Sequence, residues 1–370
     1  MSTFKELVLD PVEKAREGKQ IGVPLPLKTV GKIINNIQQR MYILLGGMSG
    51  TGKTSFVDYI FVLYAYIWYR KNKEKLKLKI IYYSMERSKK YKIQKWTCML
   101  LYIKYQILID VPTLNGWEGK MYDINDELFE KIKSCEKFID ELLTSGVIQI
   151  IDGHQNPTGI SKDIETYMKK WGKEERLSKT NEDGFEYTEV NYEPNDPSLH
   201  VLVVLDHIGK LRRERESRNS TRLLNKKENI DRMSEILGHA RDRYGITPIV
   251  ISQFNRSIGN VERMKVKDLA PEPDDFKDSG NIYEDADIAI ALYNPYKLKD
   301  FNHLGYDVKA FVNRHGYNRF RSLVVLKNSY GVDDVIKGLL FKGECGIFEE
   351  LPKPDDEYQL LKLIDKIKNE

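Results

Sequence analysis

"GGMSGTGKTS", residues 46–55, decides how the rest of the chain is read. From Gly47 to Thr54 the spacing is Gly-x-x-x-x-Gly-Lys-Thr. Glycines so placed let backbone N–H groups approach phosphate oxygens, and a helix starting near Gly52 turns its positive end to the same point. In such a loop Gly47, Ser49, Gly50, Thr51, Gly52, Lys53, Thr54 and Ser55 cradle the nucleotide. Lys53 reaches the β- and γ-phosphates, and the Thr54 hydroxyl binds Mg2+. Context argues against a chance glycine-rich turn. Upstream, "RMYILLGG" (40–47) reads as a buried strand closing on glycines. Downstream, "SFVDYIFVLYAYIWY" (55–69) is almost wholly apolar. It is shorter than the roughly 20 residues a bilayer span needs. It also carries Asp58 and follows the loop directly, so it reads as a buried helix and not as a membrane segment.

Working outward, further apolar runs read as strands: 77–84, 147–152, 200–206 within "HVLVVLDHIGKL", 246–253 and 286–293. Between them lie helical stretches at 89–108, roughly 124–144 and 224–244. After 305 short strands and turns finish the sheet. Strands of this kind alternating with helices specify an α/β fold, a mostly parallel twisted sheet with helices on both faces. The domain plan is a short N-terminal arm or linker helix (1–20), one large domain (21–352) and a charged C-terminal tail (353–370). Within the arm, 10–22 reads as a short helix with Pro11 in its first turn. Residues 173–198 are rich in charge, Asn, Gly and Pro with little periodicity, and read as an exposed, partly disordered insertion.

Composition sets outer limits. The 370 residues are 41% hydrophobic, enough for a substantial core. Fifty-nine basic and 55 acidic residues leave a net charge of +4, too mild to specify nucleic-acid binding without local patches. Cys98, Cys135 and Cys345 are widely spaced and odd in number, with neither a metal-ligand nor a disulfide pattern. With no signal peptide at the start, the expected compartment is reducing and cytoplasmic, with no membrane partner.

Candidate chemistry lies at the strand ends. Asp206 closes "VLVVLD" in the crevice where ligands of parallel sheets sit, placed to hold magnesium, usually through water. Glu86, in "YYSMERS" past the second strand, is either a carboxylate that orients the attacking water or a solvated residue at a helix start; spacing does not choose. Gln253, at the tip of "PIVISQ", is either a γ-phosphate contact or a satisfied polar group. The run "KLRRERESR" (210–218) interleaves glutamates and by default is a solvated face.

Two stretches narrow the choice: "VISQFNRS" (250–257) and "DFKDSGNIYEDADIAIALY" (275–293). Together they resemble the C-terminal RecA-like motor domain of DnaB-type replicative DNA helicases. In that family a strand ending Ser-Gln-Leu-Asn-Arg-Ser precedes a loop of the type Asp-Leu-Arg-Glu-Ser-Gly-Ser-Ile-Glu-Gln-Asp-Ala-Asp. The phosphate loop, "SMER" and "LDHI" fall in family order, and the resemblance spans roughly residues 20 to 350. It implies a RecA-like P-loop NTPase using ATP and Mg2+, with Glu86 as catalytic base and Gln253 as γ-phosphate sensor. It also implies a homo-hexamer with ATP at subunit interfaces, single-stranded DNA in the central channel, 5′ to 3′ movement, and a primase or loader as further partner. By position the channel loop "FKDSG" (276–280) puts Lys277, Asp278 and Gly280 on the DNA backbone, with Arg212, Arg213 and Arg215 as second-rank contacts.

The sequence also departs from the family. Only about 20 residues precede the motor, with no counterpart of the collar-forming domain. The family's Lys-x-Arg pair, reaching into the next subunit's ATP, falls on "LKNSYG" (326–331), where Lys327 is present but Ser329 stands in place of the arginine. A trans arginine contributes about 10³ to 10⁵ in turnover, so Arg314, Arg319 and Arg321 just upstream become candidate substitutes. Three readings result: a translocating helicase motor, a RecA-fold ATPase acting as loader, recombination or regulatory factor without unwinding, and a nucleotide-bound adaptor that rarely hydrolyses.

Overall fold

Strands with apolar residues at successive positions bury both faces, and six of them here line up in parallel. A computed structural model describes residues 3–17, 22–117, 124–180, 184–217, 219–255, 258, 263, 269–279 and 281–370. Its strands are β1 (Ile43–Gly47), β2 (Lys77–Ser84), β3 (Ile148–Asp152), β4 (Gly172–Thr180), β5 (Glu186–Pro194), β6 (Leu199–Asp206), β7 (Thr247–Ile251), β8 (Ile288–Tyr293), β9 (Asn302–His303), β10 (Tyr306–Asp307), β11 (Phe320–Asn328), β12 (Val335–Lys342) and β13 (Ile347–Glu350). Nine form one sheet in the order β13-β12-β11-β8-β1-β7-β6-β2-β3. From β8 to β3 every pairing is parallel; β11, β12 and β13 extend the sheet antiparallel. β1 lies between β7 and β8, so the phosphate loop leaves the middle of the sheet.

Alternate residues feed two cores. Ile43, Leu45, Ile80, Leu202, Ile249 and Ile290 face one side, where Phe56, Phe61, Trp96 and Leu142 cover them. Leu44, Ile81, Val203, Leu205 and Val250 face the other, under Ile160, Ile164, Met233 and Leu237. The helix after the loop runs through three consecutive segments, Lys53–Val57, Asp58–Leu63 and Tyr64–Arg70, the middle one π-type. It is a buried core helix, and no helix among the described residues is long and apolar enough to cross a membrane. The cysteines are free and buried.

Two expectations change in the structure, those for 173–198 and 124–144. Within the stretch 173–198, β4 and β5 form an antiparallel ribbon, Gly172 opposite Pro194 through Thr180 opposite Glu186. It is rich in polar residues and lacks the hydrophobic alternation that marks a strand with one buried face. Residues 124–144 are two helices, Asp126–Lys133 and Glu136–Thr144, separated at Ser134 and Cys135. The tail carries a helix, Glu357–Asn369, whose Ile367 is buried with Tyr306, Phe311 and Leu340. In the arm, a helix covers Asp10–Arg16, preceded by a π-type turn at Lys5–Leu9.

Candidate active site

Gly52 carries the first structural demand of the loop. Its φ of +101° is a left-handed conformation that favours glycine, and a Cβ there would meet the Phe341 and Phe348 rings at 2.9 Å. The helix starts one residue later, aiming its first N–H groups into the crevice. Lys53 Nζ donates to the Gly47 and Met48 carbonyls at 2.8 and 2.9 Å, which holds the ammonium inside the loop's curve. Burial pulls it down to about 8, against the raising influence of Glu86 and Asp206.

Thr54 Oγ1 donates to Asp206 Oδ1 at 2.9 Å, joining the start of the helix to the end of β6. The other Asp206 oxygen faces a buried network. Lys92 Nζ is 2.6 Å from Asp206 Oδ2 and 3.2 and 3.3 Å from the two Asp58 oxygens. The Tyr82 hydroxyl lies 2.7 Å from Asp58 Oδ1 and 3.1 Å from Asp206 Oδ2. Burial would raise the Asp206 carboxyl, but Lys92 and the hydrogen bonds hold it below its ordinary value. Asp58 is raised, its burial outweighing Lys92. Sequence reasoning singles out neither Tyr82 nor Lys92, and marks Asp58 only as a charge in an apolar run.

Glu86 sits just past β2. The Met85 N–H donates to the Asp206 carbonyl at 2.8 Å, tying the segment that carries Glu86 to the end of β6. Glu86 Oε1 lies 3.1 Å from His207 Nε2 and 3.8 Å from Lys210 Nζ. Burial lowers the His207 pKa, with Glu86 pulling the other way. Gln253 follows β7, between β1 and β6, and is exposed. Its neighbours Ser252 and Phe254 donate N–H groups to Leu45 and Gly47 of β1, at 2.9 and 3.2 Å. Lys53, Thr54, Asp206, Glu86 and Gln253 therefore all lie at the same end of adjacent parallel strands.

Residues 193–350 match the family described as the DnaB-like helicase C terminal domain. Those residues carry a DnaB-like helicase C-terminal domain, and they include β6, β7 and β8. Its fold is similar to a solved structure described as an ATPase domain, with a TM-score of 0.65 at 18% identity, covering 95% of this chain and 100% of that one. A solved DnaB-like replicative helicase, described with its interactions with primase, aligns with a TM-score of 0.62 at 17% identity over 95% of this chain and 68% of that one. A comparison with curated proteins gives no match. The RecA-like α/β fold of DnaB-type domains accounts for the sheet order and the central loop.

The remaining DnaB-type candidates are less uniform. Lys327 Nζ donates to the Tyr283 and Glu284 carbonyls at 3.3 and 2.7 Å. Ser329 is exposed. Two of the substitute arginines are committed inside the chain, which corrects their expected role. Arg319 is 2% exposed and pairs with Glu344 at 2.9 and 3.0 Å and with Glu370 at 3.2 Å. Arg321 donates to the Thr51 carbonyl at 3.1 Å, and burial lowers its guanidinium to about 10. Arg314 is exposed. Of the basic run, Arg212, Arg213 and Arg215 are all exposed, and Arg213 Nε donates to the Leu224 carbonyl at 2.6 Å. Lys277 and Asp278 fall in a short 3-10 helix, Pro273–Ser279, whose backbone alone is described there; Gly280 lies outside the described residues.

A cavity of about 620 Å³ adjoins the loop, lined by Tyr296, Lys297, Tyr317, Arg321 and Phe341 among others. Lys297 Nζ donates to the Ser49 carbonyl at 2.9 Å, and Arg321 reaches Thr51, so two cations link the cavity wall to the phosphate loop.

Proposed function

We propose that this chain hydrolyses ATP to drive movement along single-stranded DNA as the motor of a replicative helicase. The observation that carries the reading is the 2.9 Å contact between Thr54 Oγ1 and Asp206 Oδ1 beside Lys53, at the strand ends where Glu86 also lies. Two hard oxygen donors so close together fit Mg2+, which takes oxygen ligands and keeps several waters. Among the described residues no cluster of three or more His, Cys, Asp or Glu offers an alternative metal site. Bound magnesium supplies charge neutralisation at the β- and γ-phosphates.

The residues divide the work. Loop N–H groups from Gly47 to Ser55 and the Lys53 ammonium bind and orient the phosphates of ATP. Glu86 accepts a hydrogen bond from the attacking water and takes its proton as the water adds in line. Gln253 contacts the γ-phosphate and reports its loss to the segment after β7. The aromatic rings of the 620 Å³ cavity suit a stacked nucleobase. In a hexamer with ATP at subunit interfaces, Lys277, Asp278 and Gly280 line the channel and grip the DNA backbone, with Arg212 and Arg215 beside them. Such contacts make DNA affinity fall steeply with salt. Primase or a loader completes the set of partners, and the setting is the cytoplasm.

A second reading has its own support. Ser329 occupies the expected arginine position, and Arg319 and Arg321 are held within the chain. That favours a DNA-dependent ATPase that works as a loader, recombination or regulatory factor and does not unwind. ATP turnover with and without single-stranded DNA, alongside Glu86→Gln, tests both. Turnover stimulated by DNA and reduced at least about 100-fold by the variant supports an ATPase with Glu86 as base; duplex unwinding then separates motor from factor. Turnover that survives Glu86→Gln removes Glu86 from the chemistry.

A further inference from the structure

His207 follows Asp206 directly and has no part in the chemistry above. The residue is 5% exposed. The Gly209 N–H donates to its Nδ1 at 3.0 Å, so Nδ1 presents a lone pair and the ring hydrogen sits on Nε2. Nε2 is buried and makes no hydrogen bond here, although it lies 3.1 Å from Glu86 Oε1. A buried N–H in that position needs an acceptor, and the nearest carboxylate is the base itself. The ring also lies close against the Gly209 backbone. A methyl group at Gly209 would meet His207 Cε1 at 2.8 Å and Nδ1 at 3.0 Å.

We propose that His207 is a positioning residue for Glu86, its Nε2–H holding Oε1 so that Oε2 is left to engage the attacking water. This rests on the ATPase reading above. Glu86 needs such an anchor because its side chain is 31% exposed and stands just past the end of β2. Lys210 approaches the same oxygen at 3.8 Å but is 47% exposed, a looser tether. A neutral N–H donor also costs the carboxylate less of its basicity than a direct ion pair would. No proton passes between His207 and Glu86; the imidazole only fixes where the carboxylate points.

The test compares wild type, Glu86→Gln, His207→Ala, His207→Gln, His207→Asn and Gly209→Ala for ATP turnover, KM, nucleotide binding and melting temperature. His207→Ala is expected to lower kcat about 10- to 100-fold with KM within about twofold, the scale on which a misplaced catalytic group acts. His207→Gln places an amide N–H near the Nε2 position and is expected to recover most of the loss. His207→Asn, too short to reach, is expected to stay as slow as Ala. Gly209→Ala, which pushes the ring aside, is expected to lower kcat in the same direction. Should His207→Ala not fold, the Gln and Asn pair decides: equal rates for the two overturn the proposal. Unchanged kcat in a folded His207→Ala also overturns it, as does a loss that appears only in KM. A wild-type chain without turnover sinks the ATPase reading and this inference with it. Turnover that Glu86→Gln abolishes and His207→Ala leaves alone sinks this inference only.

Discussion

Lys92 is the cation on which the buried charge of the site depends. It stands between Asp58 and Asp206, its side chain 1% exposed, with contacts of 2.6 to 3.3 Å to both. One ammonium against two carboxylates leaves the cluster short of positive charge, and Tyr82 supplies the remaining polar contact. Removing one partner of a buried pair leaves uncompensated charge, typically at about 3–5 kcal/mol. Lys92→Met is therefore expected to cost several kcal/mol, read as a lower urea midpoint, while Lys92→Met with Asp58→Asn recovers much of it. A Lys92→Met chain as stable as wild type would show that the network contributes nothing net. Lys53 gives a pH test. Its folded value of about 8 lies below the ordinary 10.5, so between those values the unfolded chain holds more protons, and this residue's contribution to stability rises with pH. Phosphate binding runs the other way, because it needs the ammonium. Nucleotide affinity of the free chain is expected to fall by up to about tenfold per pH unit above 8, by fluorescence titration; affinity flat from pH 7 to 9.5 would contradict it. These residues also show how far the site is legible in sequence. Lys53, Thr54 and Asp206 stand in or beside contiguous motifs. Lys92 cannot be found that way: it reads as one more surface lysine in "KKYKIQK", and its partners are 34 and 114 residues away. His207 stands in the sequence only as part of "LDHI", because its role depends on a ring orientation set by Gly209.

At the scale of elements, legibility follows burial. The six parallel strands are covered on both faces, so each appears in sequence as a near-continuous apolar run, and their expected positions agree with the observed ones to within a few residues at the ends. The β4–β5 ribbon escapes such a reading because its stability comes from cross-strand pairs such as Lys173 opposite Glu193, and from its base. There Tyr192 packs edge-on against Tyr244 at 5.1 Å, and Glu174 accepts from Arg243 and from the Tyr244 hydroxyl at 2.9 and 2.7 Å. Such contacts are visible only once the helix Lys226–Tyr244 is in place. The helix itself is legible; its Asn225–Glu228 capping box marks its start. The ribbon projects from the strand-connecting helix Pro157–Trp171 and packs on that helix and on Lys226–Tyr244, away from the phosphate loop. Joining Leu177 to Glu189, which are paired, through an Asn-Gly turn would remove the tip and keep the base. This truncation is expected to leave ATP turnover within about twofold and the melting temperature within a few degrees, since surface changes away from special features are usually worth about 0.5 kcal/mol or less. Loss of turnover in a folded truncated chain would make the ribbon part of the motor.

For the whole molecule, the proposed ring assigns each ATP site a cation donated across a subunit boundary. Arg319 is held by Glu344 and Glu370, and Arg321 by the backbone of the phosphate loop, so neither is available without breaking the fold around it. Of the four named candidates this leaves Lys327, held by two main-chain carbonyls, and the exposed Arg314. If ATP sits between protomers, the base and the donated cation of one site come from different chains, and complementation becomes possible. A Glu86→Gln chain keeps its donor but has no base; a Lys327→Ala chain keeps its base but donates nothing. Each alone is expected to turn over ATP slowly. Mixed one to one in a closed ring, the two produce about one quarter of interfaces with both parts intact, and turnover is expected to rise toward that fraction of wild type. The same mixture with Arg314→Ala in place of Lys327→Ala asks whether the arginine is the donor. Recovery with one partner and not the other names the cation. Lys327→Ala and Arg314→Ala chains that both match wild type would mean that neither residue completes the site, and that turnover does not depend on a cation donated from this segment.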